Sequence, residues 1–192
     1  MREQAVTRIV AGALGGRRIA APPGAGTRPT SDRVREALFS AVQAELDLDG
    51  ARVADLYAGS GAVGLEALSR GAAHVLLVES DPRAARVIRE NIAALRAAPA
   101  ARLVTGKVAT VLAAGPDGGA YDVVFADPPY AVPAEEITAM LAALVGGGWL
   151  APDALVVVER SSRTGEVEWV EGITAGRSRR YGETTLWYGR RS

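Results

Sequence analysis

The chain has 192 residues, equal numbers of basic and acidic side chains (22 of each) and no cysteine. This length fits one domain with at most a small appendage, and the lack of cysteine excludes a disulfide framework and a thiolate metal site. No apolar run is long enough to span a bilayer, no signal-peptide core follows the N-terminus, and the lone His74 supplies no metal-binding cluster. We therefore expect a cytoplasmic protein with neither a metal nor a membrane partner.

The first segment predicts a basic β-hairpin. Two short β-like runs, residues 8–10 and 18–20, flank a turn that contains Gly12, Gly15 and Gly16. Arginines are concentrated at both ends of the chain, whereas the acidic residues lie mostly between them, and this distribution permits a local phosphate-binding face. The candidate RNA-binding residues are Arg8, Arg17, Arg18, Arg28, Arg33 and Arg35. For each arginine taken singly, a solvated surface is the alternative.

The rest of the chain alternates between helices and strands. An N-cap among residues 30–32 begins a helix with an apolar stripe that includes Val34, Leu38 and Val42. From Arg52 onward the alternation predicts βαβ units and a mainly parallel sheet. The predicted strands are 53–57, 75–79, 102–105, 123–126 and 155–159, and the predicted helices are 63–70, 82–95, 108–113 and 134–145. Two further β-like runs, 167–173 and 184–188, predict an antiparallel hairpin that closes the sheet.

A glycine-rich loop joins the first of these strands to its helix. Gly59 and Gly61 allow a tight turn and close approach of a ligand, and the spacing through Gly64 also fits a dinucleotide fingerprint with Glu79 as the ribose acid. Asp55 would repel a pyrophosphate but suits a cationic ligand such as S-adenosylmethionine. We predict that cofactor; an NAD-binding oxidoreductase is the alternative. The candidate cofactor-binding residues are Asp55, Tyr57, Gly59, Gly61, Glu79 and Ser80.

The strand at 123–126 ends at Asp127, Pro128, Pro129 and Tyr130. Two consecutive prolines stop a strand because proline has no N–H and a fixed φ. Ligands bind at the carboxyl ends of strands in open α/β sheets. There, Asp127 and the Pro128 carbonyl can accept hydrogen bonds from an exocyclic amine, and Tyr130 can stack on the base that carries it. These four residues are the candidate catalytic site; a strand-ending turn is the alternative.

With both motifs present, the chain resembles the class I S-adenosylmethionine-dependent methyltransferases. Among them it is similar to the bacterial 16S ribosomal RNA (guanine(966)-N(2))-methyltransferase family. The resemblance extends over nearly the whole chain and is carried by residues 8–12, 28–39, 55–71 and 127–130. The stretch 28–39 is the most specific, because many amino-methylating enzymes share the glycine loop within 55–71 and the motif at 127–130.

The resemblance implies a Rossmann-like α/β fold: a mostly parallel, seven-stranded sheet with helices on both faces and a short N-terminal β-hairpin extension that helps to hold RNA. It also implies methyl transfer from S-adenosylmethionine to N2 of a specific guanine of 16S rRNA, within the small ribosomal subunit or its assembly intermediate. We expect a monomer, with the extension at residues 1–27 and the methyltransferase domain at 28–192. Adenine N6, a glutamine amide and a non-catalytic role as an rRNA-binding assembly factor stay open as alternatives.

Overall fold

The computed structural model of the chain describes residues 5–22 and 31–192, which form nine strands and five helices. The helices are α1 (Asp32–Glu45), α2 (Ala62–Ser69), α3 (Pro82–Leu95), α4 (Val108–Ala113) and α5 (Ala134–Gly146). The strands are β1 (Val6–Arg8), β2 (Arg18–Ala20), β3 (Arg52–Asp55), β4 (His74–Glu79), β5 (Ala101–Thr105), β6 (Tyr121–Ala126), β7 (Leu150–Ser161), β8 (Ile173–Tyr181) and β9 (Thr184–Arg191). None of the helices in these ranges combines the length and the apolar character needed to cross a membrane.

Seven strands form one mostly parallel sheet in the order β5-β4-β3-β6-β7-β9-β8. The pairs β3–β4, β4–β5 and β6–β7 are parallel, whereas β9 is antiparallel to both β7 and β8. Strands β1 and β2 pair with each other in a separate antiparallel hairpin. This arrangement confirms the predicted Rossmann-like α/β fold with an N-terminal hairpin. The chain divides into two compact units, Met1–Gly106 and Lys107–Ser192.

The first unit is organised around β3 and β4, whose central residues are buried. Helix α2 packs tightly on this sheet because Gly64 has no side chain: a Cβ there would overlap Leu77 and lie 2.8 Å from Val75 Cγ1. Helix α3 begins where the sequence predicts, with Asp81 as the N-cap and Pro82 at the first position. Ser31 caps α1, with its side chain accepting a hydrogen bond from the Val34 N–H.

The second unit has its core on β6, β7 and α5. Residues 154–160 of β7 are buried without interruption, as expected for a strand in the middle of a sheet covered on both faces. Trp149, which is 1% exposed, stacks on Tyr121 with ring centroids 5.7 Å apart and donates from Nε1 to the Leu112 carbonyl over 3.0 Å. These contacts join α4 to the start of β6 and β7.

The C-terminal hairpin departs from the sequence prediction. The strand expected at 167–173 is wrong: residues 162–172 form turns and irregular backbone, and β8 runs instead from Ile173 to Tyr181, mostly within the connection expected between the two strands. The burial pattern explains the error, because residues 174–180 are all exposed and therefore show no apolar alternation. The hairpin itself is antiparallel, as predicted.

Candidate functional site

The loop between β3 and α2 has the backbone geometry that its glycines predict. Gly59 (φ 58°) and Gly61 (φ 83°) both occupy the left-handed region, which disfavours residues with a side chain. A Cβ at Gly59 would have no heavy atom of the chain within 4 Å. The backbone at Gly59 is therefore uncovered, and a ligand can approach it closely.

Two carboxylates hold this loop. Asp55 is 1% exposed and accepts a hydrogen bond from the Gly64 N–H at 3.1 Å, so it fixes the first turn of α2. Glu79, at the end of β4, accepts from the Gly59 N–H at 3.0 Å and from the Asp81 N–H at 3.2 Å. Because each carboxylate oxygen has two lone pairs, Glu79 can hold the loop and still accept from a ligand. The other candidates near this loop, Tyr57 and Ser80, are half-buried and exposed respectively.

Asn91 is a residue at this site that the sequence analysis missed. It is 2% exposed and lies on α3. Its Nδ2 atom donates to the carbonyl oxygens of Ser60 in the glycine loop and of Ala20 in β2, both at 2.9 Å, and its Oδ1 atom accepts from the Ala20 N–H at 2.8 Å. One amide side chain therefore joins the N-terminal hairpin to the glycine loop. The available signal was a single asparagine within the apolar stripe of α3.

Helix α2 holds the turn of the N-terminal hairpin. Glu66, fully buried, accepts from the N–H groups of Val10 (2.8 Å) and Ala11 (3.0 Å), and Ser69 Oγ donates to the Ala11 carbonyl (2.6 Å). Gly12 is required there, because a Cβ would overlap the Ser69 backbone. Helix α2 therefore begins at the glycine loop and binds the turn of the hairpin through residues further along the helix.

Four of the predicted RNA-binding arginines lie at the surface. Arg17, Arg18 and Arg33 are exposed, and Arg8, with 63% of its side chain exposed, pairs with Asp32 at 2.7 Å. Arg17 also donates to the Ala94 carbonyl at 2.8 Å, which fixes the hairpin on α3. Arg28 lies outside the described residues.

Arg35 requires a correction. It is 1% exposed, so it does not present its guanidinium to a ligand on the surface. Its Nη2 atom lies 2.8 Å from both the Arg8 carbonyl oxygen and Asp32 Oδ1, which joins α1 to β1. The prediction of Arg35 as an RNA contact is therefore wrong: Arg33 and Arg35 point to different sides of α1, and the hairpin covers the side that carries Arg35.

The candidate catalytic residues follow β6 directly. Asp127 is half-buried and Pro128 is buried, whereas Pro129 is exposed and Tyr130 has 52% of its surface exposed. The Pro129 carbonyl accepts from the Val132 N–H at 3.0 Å, which closes a turn. In the described part of the chain, no backbone hydrogen bond uses the Pro128 carbonyl oxygen. The turn thus combines a half-buried carboxylate with an accessible aromatic ring three residues later.

Arg160, which the sequence analysis did not single out, supports this turn from β7. It is 7% exposed and donates from Nη2 to the Val132 carbonyl at 2.9 Å. Only its position at the end of β7, next to β6 in the sheet, could have indicated this role. Within residues 5–22 and 31–192, no group of three or more histidine or acidic side chains is placed to bind a metal ion.

Comparisons with known proteins add relatives over most of the chain. The family model described as "Conserved hypothetical protein 95" matches residues 7–190. Ribosomal RNA small subunit methyltransferase D of Escherichia coli (strain K12) is 42% identical over 158 residues, which are 82% of this chain and 76% of that protein. The YlbH protein of Bacillus subtilis (strain 168) is 32% identical over 178 residues, which are 92% of this chain and 95% of YlbH.

Solved structures show the same architecture. The yhhF protein from Escherichia coli superposes with a TM-score of 0.84 and 34% identity, covering 98% of this chain and 99% of that one. Magnesium protoporphyrin IX methyltransferase from Synechocystis, solved with bound S-adenosylmethionine, superposes with a TM-score of 0.65 over 83% of this chain and 79% of its own. At 16% identity, that second likeness supports the fold alone.

Proposed function

We propose that this chain, which belongs to the family described as conserved hypothetical protein 95 and is 42% identical to ribosomal RNA small subunit methyltransferase D of Escherichia coli, methylates 16S rRNA. In this proposal a methyl group passes from S-adenosylmethionine to the exocyclic N2 amine of a specific guanine. The observation that carries the N2 target is the turn after β6, in which the half-buried Asp127 and the buried Pro128 are followed along the chain by Tyr130 with 52% of its surface exposed. Two acceptors next to a stacking platform suit a planar base with an amino group.

The glycine loop fits the proposed cofactor. An uncovered backbone at Gly59 lies between two carboxylates, Asp55 and Glu79, which favour a ligand with positive charge and donating hydroxyl groups. When bound, S-adenosylmethionine supplies a methyl group on a positively charged sulfur. The residues proposed to hold it are Asp55, Tyr57, Gly59, Gly61, Glu79 and Ser80.

The residues after β6 supply the chemistry on the amine. The lone pair of guanine N2 is delocalised into the ring, so the free amine is a weak nucleophile. Asp127 and the Pro128 carbonyl would hold its two N–H bonds and favour a pyramidal nitrogen, whose lone pair points out of the ring plane. The amine becomes acidic only as the new N–C bond forms, and the Asp127 carboxylate could then accept its proton.

The substrate must bring one base out of its stack. Unstacking costs a few kcal/mol, and a stack on Tyr130 returns about 1–3 kcal/mol of this cost. Arg8, Arg17, Arg18 and Arg33 are the proposed phosphate contacts on the hairpin and α1, and Arg28 between them is a further proposed contact. The proposed substrate is the small ribosomal subunit or its assembly intermediate, and we propose that the enzyme acts as a monomer in the cytoplasm.

The test is methylation with labelled S-adenosylmethionine of three substrates: naked 16S rRNA, small subunits and whole ribosomes from cells that lack the modification. We expect one labelled guanine, with the methyl group on N2, and a strongly reduced rate of labelling when Asp127 is replaced by alanine. Label on adenine N6 or on a protein glutamine would replace the proposed target with one of the alternatives. Tight rRNA binding without label, by a protein that binds the cofactor, would indicate a non-catalytic assembly factor.

Calorimetry distinguishes the remaining alternative. S-adenosylmethionine and NAD are titrated separately into the same protein. We expect heat of binding only from the first, because Asp55 places negative charge where NAD would bring its pyrophosphate. Binding of NAD alone would overturn the assignment of the loop.

A further inference from the structure

Strand β8 is a basic strand at the edge of the sheet that the proposed function does not use. It is the last strand in the sheet order, and residues 174–180 are exposed. Strands β8 and β9 contain five arginines and no acidic residue. Charged side chains commonly keep an edge strand from pairing with another chain. Protection of the edge does not require the arginines to be grouped on one face of the strand. A grouping on one face would therefore indicate a further role, such as binding a ligand.

A β-bulge places two of these arginines side by side. The register of β8 on β9 shifts between Ala175 and Ser178, so Gly176 and Arg177 lie opposite Tyr188. The Arg177 guanidinium lies over the Tyr188 ring, with Cζ 5.3 Å from the ring centroid. Arg179 pairs with Leu186, two residues from Tyr188 and thus on the same face. Tyr181, opposite Thr184, continues this face. We call Arg177, Arg179 and Tyr181 the β8 surface.

The register of the second unit places the β8 surface level with the candidate catalytic turn. Ala126, the last residue of β6, pairs with Val158, which pairs with Trp187, which pairs with Ser178. Ser178 is therefore level with the residue before Asp127, and Arg177 and Arg179 flank it. Three inter-strand steps of about 4.8 Å separate the two positions, which gives about 14 Å.

We propose that the β8 surface binds phosphates of the rRNA strand next to the target nucleotide. The inference rests on the proposed function, since it takes the base at Asp127 as its reference point. A guanidinium binds a phosphate through two parallel hydrogen bonds, and the Tyr181 ring can stack on a neighbouring base. At about 3.4 Å per stacked nucleotide, about four nucleotides span the distance between the catalytic turn and the arginines. The RNA strand would thus run from the end of β6 toward the edge of the sheet at β8.

The test is the salt dependence of RNA affinity for the double variant Arg177→Ala/Arg179→Ala. The probe is a single-stranded 16S rRNA fragment that contains the target guanine. We expect the Kd to rise at least about fivefold, and the slope of log K against log salt to fall by about 1.4, because two phosphate contacts are lost. The control is Arg83→Ala/Arg86→Ala, which removes the same charge from exposed positions on α3 and should change Kd less than about twofold.

A second variant covers the case in which losing Arg177 destabilises the packing around Tyr188. Arg179→Glu leaves the Arg177–Tyr188 contact intact and should weaken RNA binding more than Arg179→Ala, with S-adenosylmethionine affinity unchanged. The inference would be overturned if folded Arg179→Glu bound RNA with the Kd and the salt slope of the parent protein. It would also be overturned if the α3 control lost as much RNA affinity as the β8 variants. Methylation by the parent protein is measured in parallel. If the parent protein did not methylate its substrate, the proposed function would be in error. If the parent protein methylated its substrate and the β8 variants kept the parent RNA affinity, only the role of the β8 surface would be in error.

Discussion

The side-chain amide of Asn91 donates to the Ser60 carbonyl oxygen at 2.9 Å, inside the glycine loop. The same amide pairs with both the N–H and the carbonyl oxygen of Ala20 in β2, as a residue of a neighbouring strand would. A side chain on α3 thus connects the arginine-bearing hairpin with the loop proposed to bind the cofactor. Asn91 itself is 2% exposed, so its amide depends on these hydrogen bonds, whereas Ala20 and Ser60 are half-buried.

Replacing Asn91 with alanine should therefore weaken two kinds of binding at once. The change leaves the Ala20 and Ser60 groups without their partner, which costs about 1–3 kcal/mol per buried group. We expect the Kd for S-adenosylmethionine to rise about tenfold, which corresponds to about 1.4 kcal/mol, and RNA affinity to fall as well. Calorimetry and RNA binding measure the two effects.

Ser69→Ala is the matched control for Asn91. It removes the hydrogen bonds of Ser69 Oγ to the hairpin turn but makes no contact with the glycine loop. We expect weaker RNA binding with an unchanged Kd for the cofactor. If Asn91→Ala also left cofactor affinity at the parent value, the connection through Ser60 would have no energetic consequence.

The uncovered backbone at Gly59 leads to a second prediction. Gly59→Val puts a branched side chain into the space where we propose that the cofactor lies, and we expect binding of S-adenosylmethionine to be lost. Valine at positive φ is also strained, so the comparison needs Gly50→Val, because Gly50 has φ 74° and a Cβ there would likewise have no heavy atom within 4 Å. Both variants should lose similar stability. Equal cofactor affinity in the two would contradict the assignment of the loop.

Tyr188 predicts how stability depends on alkaline pH. Burial raises the pKa of this phenol from 10.0 to about 12; Tyr181 adds to the increase, and Arg177 and Arg179 oppose it. Since the folded-state pKa lies above the unfolded one, the neutral phenol stabilises the fold fully below pH 10, and this stabilisation is lost between about pH 10 and 12. The difference corresponds to at most about 2.7 kcal/mol of unfolding free energy.

Tyr188→Phe should remove the part of the stability loss at alkaline pH that comes from ionisation of Tyr188. The Tyr188 hydroxyl is buried and has no hydrogen-bond partner within the described residues, so the variant should be at least as stable as the parent at pH 7. Denaturant unfolding at pH 7, 10 and 11.5 measures both effects. Tyr181→Phe, at a half-buried position of β8, is the control and should keep most of the parent's alkaline loss. Identical pH profiles of Tyr188→Phe and the parent would contradict the prediction.

The two strand ends were predictable because glycine and proline act locally. Gly59 and Gly61 permit the left-handed backbone that the turn adopts, and Pro128 and Pro129 end β6, irrespective of distant segments. Burial of polar residues is a different matter, since it depends on segments that are distant in the sequence. Arg35 is covered by a strand 27 residues before it, through its bond to Arg8. The role of Asn91 likewise depends on β2, 71 residues away.

Strand β8 was missed for another reason. Periodicity identifies a strand when one of its faces is buried, and the exposed residues 174–180 give no such signal. Its backbone pairing with β9 forms regardless of side-chain polarity. An edge strand with both faces in solvent is therefore the element that sequence patterns identify least well.

Tyr130 should contribute to substrate binding through its ring. With 52% of its surface exposed, it is available to a base. Tyr130→Ala should weaken binding of the rRNA substrate about 5- to 150-fold, which corresponds to about 1–3 kcal/mol of stacking, while cofactor affinity stays unchanged. Tyr130→Phe keeps the ring and should retain most activity. If Tyr130→Phe were as impaired as Tyr130→Ala, the hydroxyl group rather than the stack would carry the function.

Asp127 should act on the rate of the chemical step. Asp127→Ala removes an acceptor for the amine that matters most as the nitrogen becomes pyramidal, and we expect kcat to fall on the order of 10² or more. Affinities for cofactor and RNA should persist, because the glycine loop and the arginines are unchanged. Asp127→Asn keeps one acceptor oxygen but cannot take up a proton, so activity above that of Asp127→Ala would show that orientation contributes separately from proton transfer.

Glu135→Ala, which removes an exposed carboxylate in the first turn of α5, is the control and should have the parent rate. Single-turnover methylation of small subunits, with cofactor and enzyme in excess, measures the step directly. A parent rate in Asp127→Ala would reduce the motif after β6 to a strand-ending turn and remove the central support for N2 methylation.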